Sequence, residues 1–216
     1  RKGINFPNTI IDIDVITEKD EKDIKWGVIN EVDYFAISFV QNASDMRHAR
    51  SLLDGYEGKL IAKIEKFDAV TNIDEILEAS DGLMVARGDL GIEVPYYDVP
   101  IIQKQLIKKA NAASKPVITA TQMLLSMTNN ERATRAEISD VANAVLDGTD
   151  VVMLSEESAI GDNPKNVVET MSNIIQKSEE IYNYDKQYNM QYLDNHDVIQ
   201  ATTAKLADDM QALGIL

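Results

Sequence analysis

The sequence predicts an α/β fold on a parallel sheet, of which this chain holds about five βα units of a (β/α)8 barrel. Three observations carry that prediction. Apolar runs fall at residues 34–40, 60–64, 83–86, 117–120 and 151–154, recurring every ~23–34 residues with a helix-length segment between each pair. The runs are nearly continuous rather than alternating, as in strands buried on both faces. Several end in polar groups: Lys63-Ile64-Glu65, Arg87-Gly88-Asp89 and Thr119-Ala120-Thr121. A barrel gathers functional groups at the C-terminal ends of several strands. The competing architecture, an open doubly wound sheet, would carry a glycine-rich phosphate loop after an early strand, and neither G-x-G-x-x-G nor G-x-x-x-x-G-K-[ST] occurs. Eight strands close a barrel, so the remaining strands are expected outside this sequence. The chain also starts without methionine and reads as a piece of a longer protein.

The elements follow in order. Ser44 can cap a helix running to about Leu53, which Gly55 would stop. Residues 67–79 place Val70, Ile73, Ile76 and Leu77 at helical spacing. Residues 101–113 follow Pro100, which suits a first helical turn. Thr134-Arg135-Ala136-Glu137 is a capping box, in which hydroxyl and carboxylate each accept from a free backbone N–H. The helix it opens shows Ile138, Val141, Ala142 and Val145 and ends at Gly148. Pro164 opens another, reaching about Tyr184. After Glu180 the character changes: Tyr182, Tyr184, Tyr188 and Tyr192 sit among Asn, Asp and Gln, as in a linker or a surface helix. From His196, the positions Val198, Ala201, Thr202, Ala204 and Leu206 predict a new helix. We therefore expect the C-terminal portion of a barrel over residues 1–185, then a linker and the first helix of a further domain over 186–216.

Composition excludes several function classes. The 216 residues are 44% hydrophobic and 26% charged, with 36 acidic against 21 basic groups and a net charge of −15. No basic cluster is longer than Lys108-Lys109, which argues against nucleic acid or an anionic membrane as a main partner. No apolar run approaches the ~20 residues needed to span a bilayer, and residues 1–7 lack a signal peptide's apolar segment. Cysteine is absent, which removes disulfides and thiol chemistry and fits an intracellular setting.

Residues two apart on a strand share a face, so Lys63 and Glu65 project together from the end of their run. Buried charges are costly unless paired or bound to something. Lys63 could neutralise a transferring phosphoryl group or a developing enolate, or simply pair with a core carboxylate. Glu65 and Asp89, from successive strand ends, suit Mg²⁺ with substrate oxygens and water completing the octahedron; the alternatives pair Glu65 with Lys66 and Asp89 with Arg87. Gly88 removes a side chain where the backbone leaves its strand, exposing N–H groups to an anion. Thr119 and Thr121 could hydrogen-bond a substrate or satisfy neighbouring backbone. In Ser155-Glu156-Glu157-Ser158 the two acids read as solvated. Met123, Leu124, Leu125 and Met127 read as packing, and His48 and His196 as surface residues. With no paired His or Cys, transition-metal and cysteine catalysis are excluded.

Ile61-Ala62-Lys63-Ile64-Glu65, Asp81 through Gly91 and Thr119-Ala120-Thr121-Gln122-Met123-Leu124 resemble the pyruvate kinase family. So do Thr134-Arg135-Ala136-Glu137, Ser139 through Gly148 and Val152-Met153-Leu154-Ser155, in family order across roughly residues 1–180. The resemblance implies a barrel that transfers phosphate from phosphoenolpyruvate to ADP, giving pyruvate and ATP. It implies that Lys63 stabilises the phosphoryl transition state and the enolate, and that Glu65 and Asp89 hold Mg²⁺ or Mn²⁺. The N–H groups of Gly88 and Asp89 would take the substrate carboxylate, and Thr121 would line the pocket beside the protonated carbon. It also implies K⁺, with ligands outside this chain, a cytoplasmic homotetramer, and no nucleic acid or membrane partner. Glu156 stands where the family usually has Gly, and Ala133 where it has Pro. Segments matching the first barrel strands and the lid domain are missing, and residues 1–7 resemble the return from that lid. The competing readings are an Mg²⁺-dependent carbon–carbon lyase acting on pyruvate-like enolates, and a fragment without activity of its own.

Overall fold

The structure, a computed structural model, describes residues 15–182 together with 199, 202, 203 and 206. The expectations for residues 1–7 and for Tyr184, Tyr188, Tyr192, His196, Val198, Ala201 and Ala204 lie outside the described residues. The chain divides into two units, Arg1–Glu179 and Glu180–Leu216. In the second, Ile199, Thr202, Thr203 and Leu206 are helical and exposed.

The first unit alternates helix and strand. Helix α1 (Glu18–Ile29) leads into β1 (Tyr34–Ile37), then α2 (Ala43–Leu52) and β2 (Lys59–Ile64). Two short helices, α3 (Phe67–Thr71) and α4 (Ile73–Ala79), precede β3 (Gly82–Ala86). Next come α5 (Arg87–Glu93), α6 (Val99–Ala112), β4 (Val117–Ala120) and a 3-10 turn over Leu125–Thr128. Helix α7 (Arg135–Leu146), β5 (Val151–Met153), α8 (Glu156–Ala159) and α9 (Pro164–Glu179) complete it.

All four strand pairings are parallel, and the order in the sheet is β1-β2-β3-β4-β5. A doubly wound sheet reverses its strand order at a switch point. Here each strand lies beside the next in sequence, as in a barrel wall. The packing agrees. Leu60, Ala62 and Ile64 of β2, Leu83 and Val85 of β3 and Val117 of β4 share one core with Met46, Ala49, Ile76, Leu106, Ile107 and Ala110 from the helices. On the opposite face Ile61, Met84, Ala120, Ile118 and Met153 form a cluster of strand residues alone. Helices therefore cover one face, and the other lines what would be the barrel interior.

Local chemistry sets most boundaries. The Thr134 capping box is present, with Glu137 N–H donating to the Thr134 hydroxyl and Thr134 N–H to the Glu137 carboxylate. Gly148 adopts φ 96°, the left-handed geometry of a helix terminus. Three expectations are corrected. The cap of α2 is Asn42, not Ser44, because the Asn42 side chain accepts from Ser44 N–H at 2.9 Å. The single helix over 67–79 breaks at Asn72, whose side chain donates to Gln41 O at 3.0 Å. Helix α9 stops at Glu179. Helix α1 was not foreseen, although Thr17 and Asp20 form a reciprocal cap at its start.

Candidate active site

The register places the sequence-predicted residues at one edge. Ile64 pairs with Val85 and Ala86 with Ala120, so Glu65, Arg87 and Thr121 each stand one residue beyond the paired region. They mark the C-terminal rim of the sheet. Helix α5 leaves β3 without a loop, which carries Gly88 and half-buried Asp89 onto the same rim.

Lys63 and Glu65 come from one face of β2, as their spacing requires. The ammonium lies 2.7 Å from the Glu65 carboxylate and donates to the Ser38 hydroxyl at 2.9 Å. The second carboxylate oxygen accepts from Phe39 N–H at 2.6 Å. Glu65 is 1% exposed and Lys63 24%, so the acid is sunk in the wall and the ammonium reaches toward open space. The alternative pairing with Lys66 is not the one formed. Ser38 was missed because it lies inside the apolar run 34–40, whereas β1 stops at Ile37 and so leaves Ser38 one residue past the strand, at the rim.

At β3 and β4 the rim is knitted differently. Gly88 N–H donates to the Thr121 hydroxyl at 2.7 Å, and that hydroxyl donates to Ala120 O at 2.7 Å. Thr121 and Gln122 adopt φ 69° and 55°, consecutive left-handed residues. For a β-branched residue this conformation is costly and needs outside support. Thr121 thus sits on a kinked exit rather than on the strand face shared with Thr119. Thr119 is fully buried and hydrogen-bonds the Thr149 hydroxyl at 3.0 Å, a structural role.

Arg87 does not pair with Asp89. One terminal nitrogen of its guanidinium donates to both carboxylate oxygens of Asp140 on α7, at 2.8 and 2.6 Å, and reaches Gln103 on α6 at 3.4 Å. It also donates to the carbonyls of Ala120 and Thr121, the closest contact being 2.7 Å to Thr121 O. Sequence inspection gave no sign of this, because the partners lie 16 to 53 residues away.

Glu157 is the other surprise. It is fully buried rather than solvated, and accepts from Leu124 N–H at 3.1 Å and Ser155 N–H at 2.7 Å. It joins the end of β5 to the segment after β4. Its neighbour Glu156 is exposed. Met123, Leu124 and Met127 are buried beneath the same segment, while Leu125 is exposed. His48 is at the surface, 4.0 Å from Glu21.

Glu137 braces this side from below, accepting from the N–H and hydroxyl of Ser126 and the N–H and hydroxyl of Thr134. Burial pushes its pKa up, but those four donors outweigh it and hold the carboxyl below its ordinary value.

The donor set suits a hard divalent cation. Among the described residues no three acids or histidines cluster into a complete metal cage. Mg²⁺ is typically held by one or two carboxylates, with substrate oxygens and water supplying the rest. Glu65, one residue past β2, and Asp89, in the first turn of α5 after β3, are of that kind, and each Glu65 oxygen keeps accepting capacity beyond its single bond. No helix among the described residues is long and apolar enough to cross a membrane.

The family model for the pyruvate kinase barrel domain matches residues 1–168. The chain is 54% identical over 189 residues to a pyruvate kinase of Bacillus licheniformis, covering 86% of this chain and 32% of that protein. With a pyruvate kinase of Geobacillus stearothermophilus it shares 55% over 183 residues, 83% of this chain and 31% of the relative. A pyruvate kinase of Clostridium acetobutylicum is 47% identical over 222 residues, covering 100% of this chain and 47% of its own length. The chain thus spans a third to a half of these relatives.

Proposed function

This chain belongs to the pyruvate kinase family, and from that premise we propose that the protein containing it transfers the phosphoryl group of phosphoenolpyruvate to ADP. One observation carries the reading: the Lys63 ammonium and the Glu65 carboxylate share one face of β2 at the C-terminal rim, 2.7 Å apart. The Gly88 N–H and the Thr121 hydroxyl stand at the next two strand ends.

In the reaction the bond between phosphorus and the enol oxygen of phosphoenolpyruvate breaks, and a bond forms from phosphorus to a terminal oxygen of ADP. The enol oxygen keeps the electron pair, and protonation at the methylene carbon gives pyruvate. Lys63 stabilises the charge on the phosphoryl group in flight and on the enolate left behind. Its partner Glu65 keeps the ammonium at the rim, and Ser38 fixes its direction. Glu65 and Asp89 are the residues that would hold Mg²⁺ or Mn²⁺, whose charge offsets the substrate's negative oxygens when bound. The N–H groups of Gly88 and Asp89 receive the substrate carboxylate, which at Gly88 shares or takes over the bond now made to Thr121. Thr121 lies beside the carbon that accepts the proton. K⁺ ligands and the first barrel strands belong to segments outside these residues. Residues 1–185 form the C-terminal part of the catalytic barrel and 186–216 begin a further domain, in a cytoplasmic homotetramer.

A coupled assay of ATP formation from phosphoenolpyruvate and ADP, run on the full-length protein, tests the reading. Lys63→Met is expected to lower turnover about 100- to 1,000-fold, the loss typical of one transition-state donor, with the fold retained but the melting temperature lowered, because Glu65 loses its buried partner. Aldol cleavage of a pyruvate-derived substrate with no ATP formation would replace this reading with a lyase.

A further inference from the structure

We propose that Arg87 is a positioning residue, whose guanidinium holds the left-handed Thr121 backbone so that the Thr121 hydroxyl and the Gly88 N–H meet at the rim. The starting observation is strain. Thr121 and Gln122 both lie at positive φ, with no glycine to relieve them. Such a conformation costs about 1–3 kcal/mol per residue and persists only where surrounding contacts determine it.

Those contacts converge on one side chain. The Arg87 Nε donates to Ala120 O and Thr121 O at 3.3 and 3.2 Å, and one terminal nitrogen donates to Thr121 O at 2.7 Å. The carbonyl groups on both sides of the Thr121 N–Cα–C unit are therefore gripped by one rigid plane. The other terminal nitrogen donates to both oxygens of Asp140, so the plane cannot swing away without breaking that ion pair as well as its bonds to the two carbonyls. The Arg87 side chain is 10% exposed, which gives water little opportunity to replace it. Arg87 also immediately precedes Gly88, so the same residue sets both the donor and the acceptor of the Gly88–Thr121 hydrogen bond.

A lysine cannot do this. It offers a single point of positive charge, whereas the planar fork presents five donors at fixed angles. Arg87→Lys keeps the attraction to Asp140 and loses the grip on two successive carbonyls. A displacement of about 1 Å at reacting groups can cost 10²-fold in rate, and that sets the expected size of the effect.

The proposal deepens the pyruvate kinase reading, and its kinetic arm rests on that reading; the structural arm does not. In the full-length protein, Arg87→Lys and Arg87→Met are expected to lower kcat for ATP formation about 100-fold while KM for ADP stays unchanged. Guanidinium ion added to Arg87→Ala restores part of the lost kcat, which a merely structural lesion would not allow. In crystals of Arg87→Lys, the variant that keeps the Asp140 contact and the fold, Thr121 leaves positive φ and the Gly88–Thr121 bond opens. Wild-type kcat in Arg87→Lys, or a Thr121 that keeps φ near 69° with its Gly88 bond intact, would overturn the assignment. Failure of the wild-type protein to make ATP would sink the activity reading alone, and the crystallographic comparison would still decide Arg87.

Discussion

Glu137 shows how one carboxylate can carry a local structure. Four donors from Ser126 and Thr134 surround it and tie the 3-10 turn after β4 to the start of α7. Because these bonds hold its folded pKa below the unfolded value, its contribution is present above the unfolded carboxylate range, near 4.3. It is lost as pH falls through the folded pKa. Glu137→Gln is expected to destabilise the protein by about 1 kcal/mol at neutral pH, allowing for screening of a partly exposed group. Urea titrations of both proteins should converge as pH is lowered below about 4; a constant gap would show that charge plays no part. Asp81 follows the same sign. Burial raises its pKa, but Leu60 N–H and Arg50 together hold it below its ordinary value.

At the scale of single elements, much was legible before the structure. The four later strands lie within a residue of their apolar runs, while the first stops at Ile37, short of Val40. The helix at Thr134 was readable because both halves of its cap lie within three residues. What stayed hidden depends on distant partners. A sequence cannot show that Asn72 donates to Gln41 and so splits one helix in two. Nor can it show which of two adjacent acids turns inward, since α8 is a single turn and only Glu157 meets Leu124 N–H. The rim chemistry of Lys63, Glu65, Gly88 and Thr121 could be proposed from spacing, whereas the Arg87 grip could not. Two elements yield tests of their own. Lys115 caps the end of α4, donating to the carbonyls of Leu77, Glu78 and Ser80. Lys115→Met should lower stability by about 2 kcal/mol, the scale of hydrogen bonds to a charged group, read as a drop in melting temperature. A Cβ on Gly161 would lie 2.2 Å from the Glu157 carbonyl oxygen. Gly161→Ala must therefore shift α8, and hydrogen exchange at Leu124 and Ser155 should rise as Glu157 is displaced.

Over the whole molecule, the sheet's sequential order leaves β1 and β5 each paired on one side only among the described residues. Unpaired edges recruit other strands, and the inner face carries the apolar cluster of Ile61, Ile118, Met84, Ala120 and Met153. We expect the 216-residue chain, expressed alone, to show concentration-dependent association in sedimentation and negligible turnover. A monodisperse monomer across the concentration range would contradict the first expectation, and wild-type-like ATP formation the second.

The bonds that run from each strand end to its neighbour, Ser38 to Lys63, Gly88 to Thr121 and Leu124 to Glu157, carry a lesson for protein engineers. Grafting one βα loop from a homologue imports half of a handshake and strands the other half, so paired exchanges should outperform the sum of single ones. Combinatorial libraries of this barrel are best cut between adjacent loops that share no such bond, and chimeras joined elsewhere will show epistasis.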